Sequence, residues 1–274
     1  MRRHLLAACL LCALPLRAQD SGTHATPATP DTPAANPARP TVTNPATLPP
    51  VGYLQFEQGF VQANNTAEFD SQFSLNVTAK IAVTDRLMPF VQFQPFANSN
   101  ISPSTQKDAG DLAAGLQFVL FKAPDPPTLR PTVAIQYARL IHAGTAPNTD
   151  IGGFTNSAVL LISGDIPGLH YDTNYIVNEQ TAGPLRRAQF GQTLSVTHNL
   201  TKTVTLSGEL WHFTQPLTAG NAVGTLYALA WSPKPNLVFD AGFERGLTST
   251  STQWQGFAGL TYLLPHRLWK QHSK

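Results

Sequence analysis

The sequence predicts an all-β fold: a closed antiparallel up-and-down transmembrane β-barrel of about 12 strands. Three observations carry this expectation. Apolar and polar residues alternate with period 2 through most of the chain. The alternating stretches run to about 10–14 residues, longer than the 5 or 6 usual in soluble sheets. The connections alternate between short and long. Composition agrees: 42% of the 274 residues are hydrophobic and only 12% are charged, against about 25% charged in soluble domains. No apolar run reaches the roughly 18 residues that a membrane-spanning helix needs.

The N-terminus reads as an export signal over residues 1–18. Arg2 and Arg3 supply the positive start, Leu5 to Leu16 the apolar core, and Ala18 the small residue at the cut. Leu6-Ala7-Ala8-Cys9 resembles a lipoprotein box, but too few apolar residues precede it. Both cysteines, Cys9 and Cys12, fall inside the signal. The mature chain is therefore expected to hold no disulfide, thiolate nucleophile or cysteine metal site. Taking Arg2, Arg3 and Arg17 from the 18 basic residues leaves 15 against 16 acidic ones, so the formal +2 belongs to the signal. Nucleic-acid binding has no electrostatic footprint here.

Residues 19–50 are rich in Pro, Thr and Ala, with 8 prolines between 20 and 50. With little to bury, this stretch is expected to be a disordered, extended spacer.

From Val51 the strands follow. In 70–83, Phe73, Leu75, Val77, Ala79 and Ile81 oppose Gln72, Ser74, Asn76, Thr78 and Lys80. In 202–213, Leu206, Gly208 and Leu210 oppose Ser207 and Glu209; in 235–245, Phe239, Ala241 and Phe243 oppose Asp240, Gly242 and Glu244. Further strands are expected at 51–61, 86–97, 111–122, 130–142, 155–165, 168–178, 187–198, 221–232 and 252–264. In 86–97 and 221–232 both faces carry apolar residues, which leaves their register open. Turn residues fill the short connections, such as Asp165-Ile166-Pro167-Gly168 and Ser232-Pro233-Lys234-Pro235. Long polar connections fall at 62–68, 98–110, 143–153, 180–185, 214–220 and 247–251. Outer-membrane barrels make the same division, with short periplasmic turns and long outer loops. Residues 265–274 are left as a tail.

A soluble β-sandwich also alternates, but its strands are shorter and its outer face carries Lys and Glu. Here the polar face is Ser, Thr, Gln and Asn. Phe56, Tyr171, Tyr175, Trp231, Phe243, Trp254 and Tyr262 lie near strand ends or on the apolar face, as interfacial aromatic girdles do.

Gly259-Leu260-Thr261-Tyr262-Leu263-Leu264 resembles the closing strand that barrel-assembly machinery reads in outer-membrane proteins. Asp85-Arg86-Leu87, followed by Phe90 and Phe93, resembles the turn-then-strand unit of outer-membrane transporters. Among these, residues 51–264 are most similar to the phenol-degradation (meta-pathway) outer-membrane protein family. The resemblance implies a place in the outer membrane, lipid and the assembly machinery as partners, and small, often aromatic, solutes. It supplies no site residues.

Those come from strand parity. Ionisable groups facing lipid at mid-depth are costly, so polar-face residues belong to the lumen or its rims. The lumen-lining candidates are Glu57, Gln117, Gln136, Asp172, Asn174, Glu209, Asp240 and Glu244. Two readings stand for them. They line a constriction that selects small solutes, or they pair with Arg186, Arg187 and Arg245 and fill the lumen. A barrel of 12 strands lies between the filled small barrels and the open porins, so a narrow channel is the expected function. A structural or anchoring barrel is one alternative. An outer-membrane lipid-modifying enzyme is the other, but Glu209 and His212 fall on opposite faces of one strand. No spacing of His or carboxylates suits a metal, and no Gly-rich loop suits a phosphate cofactor.

Overall fold

The computed structural model describes residues 33–66, 68–124, 129–148, 151, 153–217 and 220–269. The expected signal falls outside them, as do residues 19–32 of the expected spacer and the end of the tail.

Among the described residues thirteen strands form one closed sheet: β1 (Leu54–Asn64), β2 (Ser71–Ile81), β3 (Leu87–Ile101), β4 (Ser104–Asp108), β5 (Leu112–Phe121), β6 (Thr132–His142), β7 (Asn156–Ile166), β8 (Leu169–Ala182), β9 (Leu185–Asn199), β10 (Val204–Thr214), β11 (Asn221–Lys234), β12 (Leu237–Gly246) and β13 (Trp254–Leu263). Every pairing is antiparallel, and β13 pairs with β1 to close the ring. The short β4 pairs with the far end of β3, and β5 continues along the near end of β3. They therefore serve as one staff of a 12-stranded barrel. Each of the other strands is paired on both sides, the condition for a sheet to sit in hydrocarbon, while the short β4 is paired along β3 alone.

Strand parity matches the sequence reading. In the two segments whose register the sequence leaves open, the structure turns Met88 and Phe90 of β3 and Leu226 and Ala228 of β11 inward. In β2, Phe73 faces out while Gln72, Ser74 and Lys80 are buried inside. The outer surface carries Phe60, Leu116, Ile135, Leu210, Leu229 and Trp231, all strongly exposed. Rings stack across strands there, with Phe60 on Phe73 at 5.8 Å and Trp231 on Phe239 at 5.7 Å. In water this distribution would be inside out; in a bilayer it is the low-energy one.

Two connections and the tail differ from expectation. The predicted long loop 98–110 is mostly a hairpin formed by β3 and β4. Residues 180–185 extend β8 and β9, whose pairing continues to Ala182 opposite Leu185. Strands that project beyond the lipid meet water on both faces. Their cross-strand hydrogen bonds persist while the apolar alternation disappears, so the sequence reads as loop. The tail folds back, with Arg267 Nε donating to Val51 O at 2.9 Å and Leu268 N to Gly52 O at 2.8 Å.

The largest departure concerns the spacer. Residues 33–50 lie inside the barrel as a plug. The physical reason is supply of donors: the segment has little to bury, but its backbone N–H groups meet lumen carboxylates, amides and hydroxyls. At the plug's apex Val42 packs against the wall cluster of Trp211, Phe213 and Ala222, as do Ile176 of the wall and Ile151 of the β6–β7 loop. Two glycines make room for this layer. A Cβ at Gly224 would lie 2.2 Å from the Trp211 ring, and one at Gly191 would lie 2.3 Å from Phe213. Gly224→Val is expected to destabilise the barrel by about 1–3 kcal/mol through overpacking. The readout is the temperature at which the compact, fast-migrating gel form is lost; an unchanged temperature would contradict this packing.

Candidate functional site: the plugged lumen

All eight lumen candidates lie on the inner face. Glu57, Gln117, Asn174, Glu209, Asp240 and Glu244 are buried, and Gln136 and Asp172 are partly so. Period 2 puts them there, because each sits two or four residues from another inward residue of its own strand.

The plug binds them in chain order. It enters at the short-turn end, where Ala35 N donates to Pro235 O of the β11–β12 turn at 2.8 Å. Asn36 N donates to Gln55 Oε1 at 2.9 Å, and Gln55 Nε2 returns a bond to Asn36 O at 2.7 Å. Ala38 N donates to Glu57 Oε1 at 3.1 Å. At the apex Val42 N and Thr43 N donate to the two oxygens of Glu209, at 2.8 and 2.7 Å. Asn44 exchanges a reciprocal pair with the Asn174 amide, at 2.7 and 2.9 Å. On the way back Ala46 N donates to Ser163 Oγ at 2.7 Å, and Gln117 Nε2 donates to Pro45 O and Ala46 O at 3.1 Å each. Asn36 Nδ2 donates to Thr47 O at 2.9 Å and ties the two limbs together. Ala46 and Leu48 pack on Val119, Ala134, Val159 and Leu161. Side-chain amides of the wall thus play the part that a neighbouring strand's backbone would play.

Arg39 supplies the plug's cation. Its Nε and Nη2 fork onto Asp240 Oδ2 and Oδ1 at 3.3 and 3.0 Å, and it lies 6.0 Å from the Phe257 ring. Gly59 and Gly259, paired across β1 and β13, form its seat. A Cβ at Gly59 would come within 1.9 Å of the guanidinium, and one at Gly259 within 2.7 Å. Lys80 Nζ meets Glu57 Oε1 at 2.5 Å, with both side chains buried. Buried charges persist only when paired and hydrogen-bonded, and this arrangement meets that requirement.

The arginines expected opposite the acids lie elsewhere. Arg245 follows the inward Glu244, so parity turns it outward, where it stacks 4.4 Å over Trp254. Arg186 pairs with Glu179 at 3.2 Å near the β8–β9 tip, and Arg187 bonds Arg186 O. Both stand past the lipid-facing part of the wall. Arg39 was missed because it sits in a stretch without periodicity. Its signal was the surplus of inward carboxylates over the inward Lys80.

The long-loop half of the lumen is open. A mouth of about 450 Å³, bordered by Glu68, Gln180, Gln215 and Thr250, shares Asp111, Leu140, Asn148 and Phe154 with a chamber of about 300 Å³. Below the chamber, Thr78 and Gln92 also border a gap of about 30 Å³ between the plug and the wall, next to Lys80 and Gln136. That gap holds roughly one or two waters. At the mouth, burial raises the Glu68 carboxyl above its ordinary range. At the opposite end, Lys122 beside Asp85 holds that carboxyl down.

No family model and no curated protein matches the sequence. Solved structures do resemble it. The COG4313 outer membrane channel from Pseudomonas putida F1 superposes with a TM-score of 0.56 at 10% identity, covering 80% of this chain and 98% of that one. A NanC porin gives 0.52 at 10% identity over 77% and 100% of the two chains, and a KdgM porin 0.50 at 11% over 76% and 98%.

The chain has the fold of outer-membrane β-barrels.

At such identities the likeness concerns the fold, and the contents of the lumen must be read from this chain's own residues.

The anchors predict a labelling experiment. A single cysteine placed at Ala38, with Cys9 and Cys12 replaced, reports access to the plug. Each charge-assisted anchor contributes about 1.5–3 kcal/mol, so Asp240→Asn with Glu209→Gln should raise the maleimide labelling rate at least about tenfold. An unchanged rate would mean that the carboxylates do not hold the plug.

Proposed function

We propose that the protein is an outer-membrane channel for small solutes, held closed by its own residues 33–50. The single observation that carries this reading is a graded cavity. It runs from a 450 Å³ mouth to a 300 Å³ chamber and stops at a 30 Å³ gap beside a plug made of the same chain. In this reading Glu57, Asp240 and Glu209 form the lock, and Gln117, Gln136, Asp172, Asn174 and Glu244 complete the wall of the closed lumen. The resemblance to the phenol-degradation family supports small aromatic or hydrophobic compounds as solutes. The outward rings support lipid as the surrounding partner, and the alternating closing strand supports recognition by the assembly machinery.

Ser163, Asp172 and His170 lie together near the short-turn end, but the serine hydroxyl donates to Asp172 Oδ1 at 2.5 Å rather than to the imidazole. A hydroxyl bonded that way is not activated as a nucleophile, which supports the channel reading over a lipid-modifying enzyme. A structural barrel is the second reading, and the narrowness of the gap favours it.

Planar-bilayer recordings separate the two. The full chain is expected to conduct weakly, and a variant lacking residues 33–49 to conduct several times more. Equal, near-zero conductance of a correctly folded variant would support the structural barrel.

A further inference from the structure

The chamber differs chemically from the plugged half below it. In the lower lumen, amides and carboxylates such as Gln55, Gln117, Asn174 and Glu209 are bonded to the plug. In the chamber, Ser74, Asn76, Thr78, Gln92, Gln94 and Gln255 line the walls. Among the described residues none of these six side chains is bonded to another protein group. Ser74 is almost fully buried, at 2% exposure. Leu140 of β6 and Phe154 of the β6–β7 loop add apolar lining. The charge within it is Asp111, whose oxygens already accept from Gly144 N at 2.9 Å and Asn148 Nδ2 at 3.3 Å. Neither the chamber nor the mouth is lined by Lys, Arg or His among the described residues, and the mouth adds the carboxylate of Glu68.

We infer that the chamber is a binding site for a neutral, polyhydroxylated solute of monosaccharide to disaccharide size. The argument is one of elimination by chemistry, and it rests on the channel reading above. An anionic solute would meet the carboxylates of Asp111 and Glu68 with no cation to offset them. A wholly apolar solute would displace water from at least six amide and hydroxyl groups and leave them unsatisfied, a cost that selects strongly against it. A solute with a ring of hydroxyls can serve the β2 and β3 side chains with one edge. Its C–H face can then lie against Leu140 and Phe154. The volume of about 300 Å³ stands at the lower end of small-molecule pockets, about 300–1,000 Å³. The chamber's lining therefore points away from the aromatic or hydrophobic solutes that the family resemblance implies and toward neutral molecules that carry several hydroxyls.

The test is equilibrium binding to the full chain in nanodiscs, which needs no transport and is therefore independent of whether the plug opens. The probes are maltose, glucuronate and toluene. Saturable maltose binding is expected, with glucuronate and toluene each at least tenfold weaker. Asn76→Leu with Gln92→Leu removes two amides at nearly constant volume. It is expected to weaken maltose about tenfold, each lost hydrogen bond accounting for about threefold. Thr78→Val alone should weaken it about threefold, which guards against a double variant that fails to fold. Tighter binding of glucuronate or toluene than of maltose would overturn the inference. So would absence of maltose binding, or maltose binding indifferent to all three substitutions. Solute flux through a plug-deleted barrel that binds no maltose would overturn the inference and leave the channel reading intact.

Discussion

A carboxylate buried in a barrel lumen must be met by donors, and here the donors at Glu209 are the backbone N–H groups of Val42 and Thr43. The rest of the interior follows from that constraint. The wall supplies inward acids at Glu57, Glu209 and Asp240, while Lys80 is the cation it offers to Glu57. Without the plug, Asp240 and Glu209 would need water to fill the lumen around them. With it, Arg39 and the apex amides satisfy them, and the barrel is closed. The same residues therefore hold the plug in its seat and complete the packing of the lower lumen. Glycines at 59 and 259 show that the wall is shaped to receive the plug, since any side chain there would overlap Arg39.

The two halves of the lumen use similar polar residue types for different ends. Below the apex, Gln, Asn and Ser imitate a strand's backbone and bind the plug through paired donors and acceptors. Above it, the same chemistry is left open toward a cavity joined to the outside. The boundary between them is the layer of Val42, Ile151, Trp211 and Phe213, which is apolar and closely packed.

Much of the wall was legible in the sequence because lipid and lumen impose period 2 on each strand. Phe73, Leu75 and Val77 against Gln72, Ser74 and Asn76 already state which way β2 faces. The eight lumen candidates followed from parity and from the cost of a charge in lipid. The plug was not legible, for a physical reason. Its main bonds are made by backbone N–H groups at Asn36, Ala38, Val42, Thr43, Asn44 and Ala46, and every residue type but proline has one. Composition then reads as spacer. Its partners are visible in the sequence only as inward acids lacking cations, for which Arg186, Arg187 and Arg245 are the candidates that the strands offer. For Arg245, parity alone could have corrected that assignment, since Glu244 beside it faces in.

The central claim is that residues 33–50 are a built part of the barrel interior. Amide hydrogen exchange on the full chain in nanodiscs tests it most directly. The account predicts that the amides of Val42, Thr43, Asn44 and Ala46 are protected to a degree comparable with those of β10 and β11. Exchange of these amides at the rate of an unstructured chain, beside a protected barrel, would contradict it.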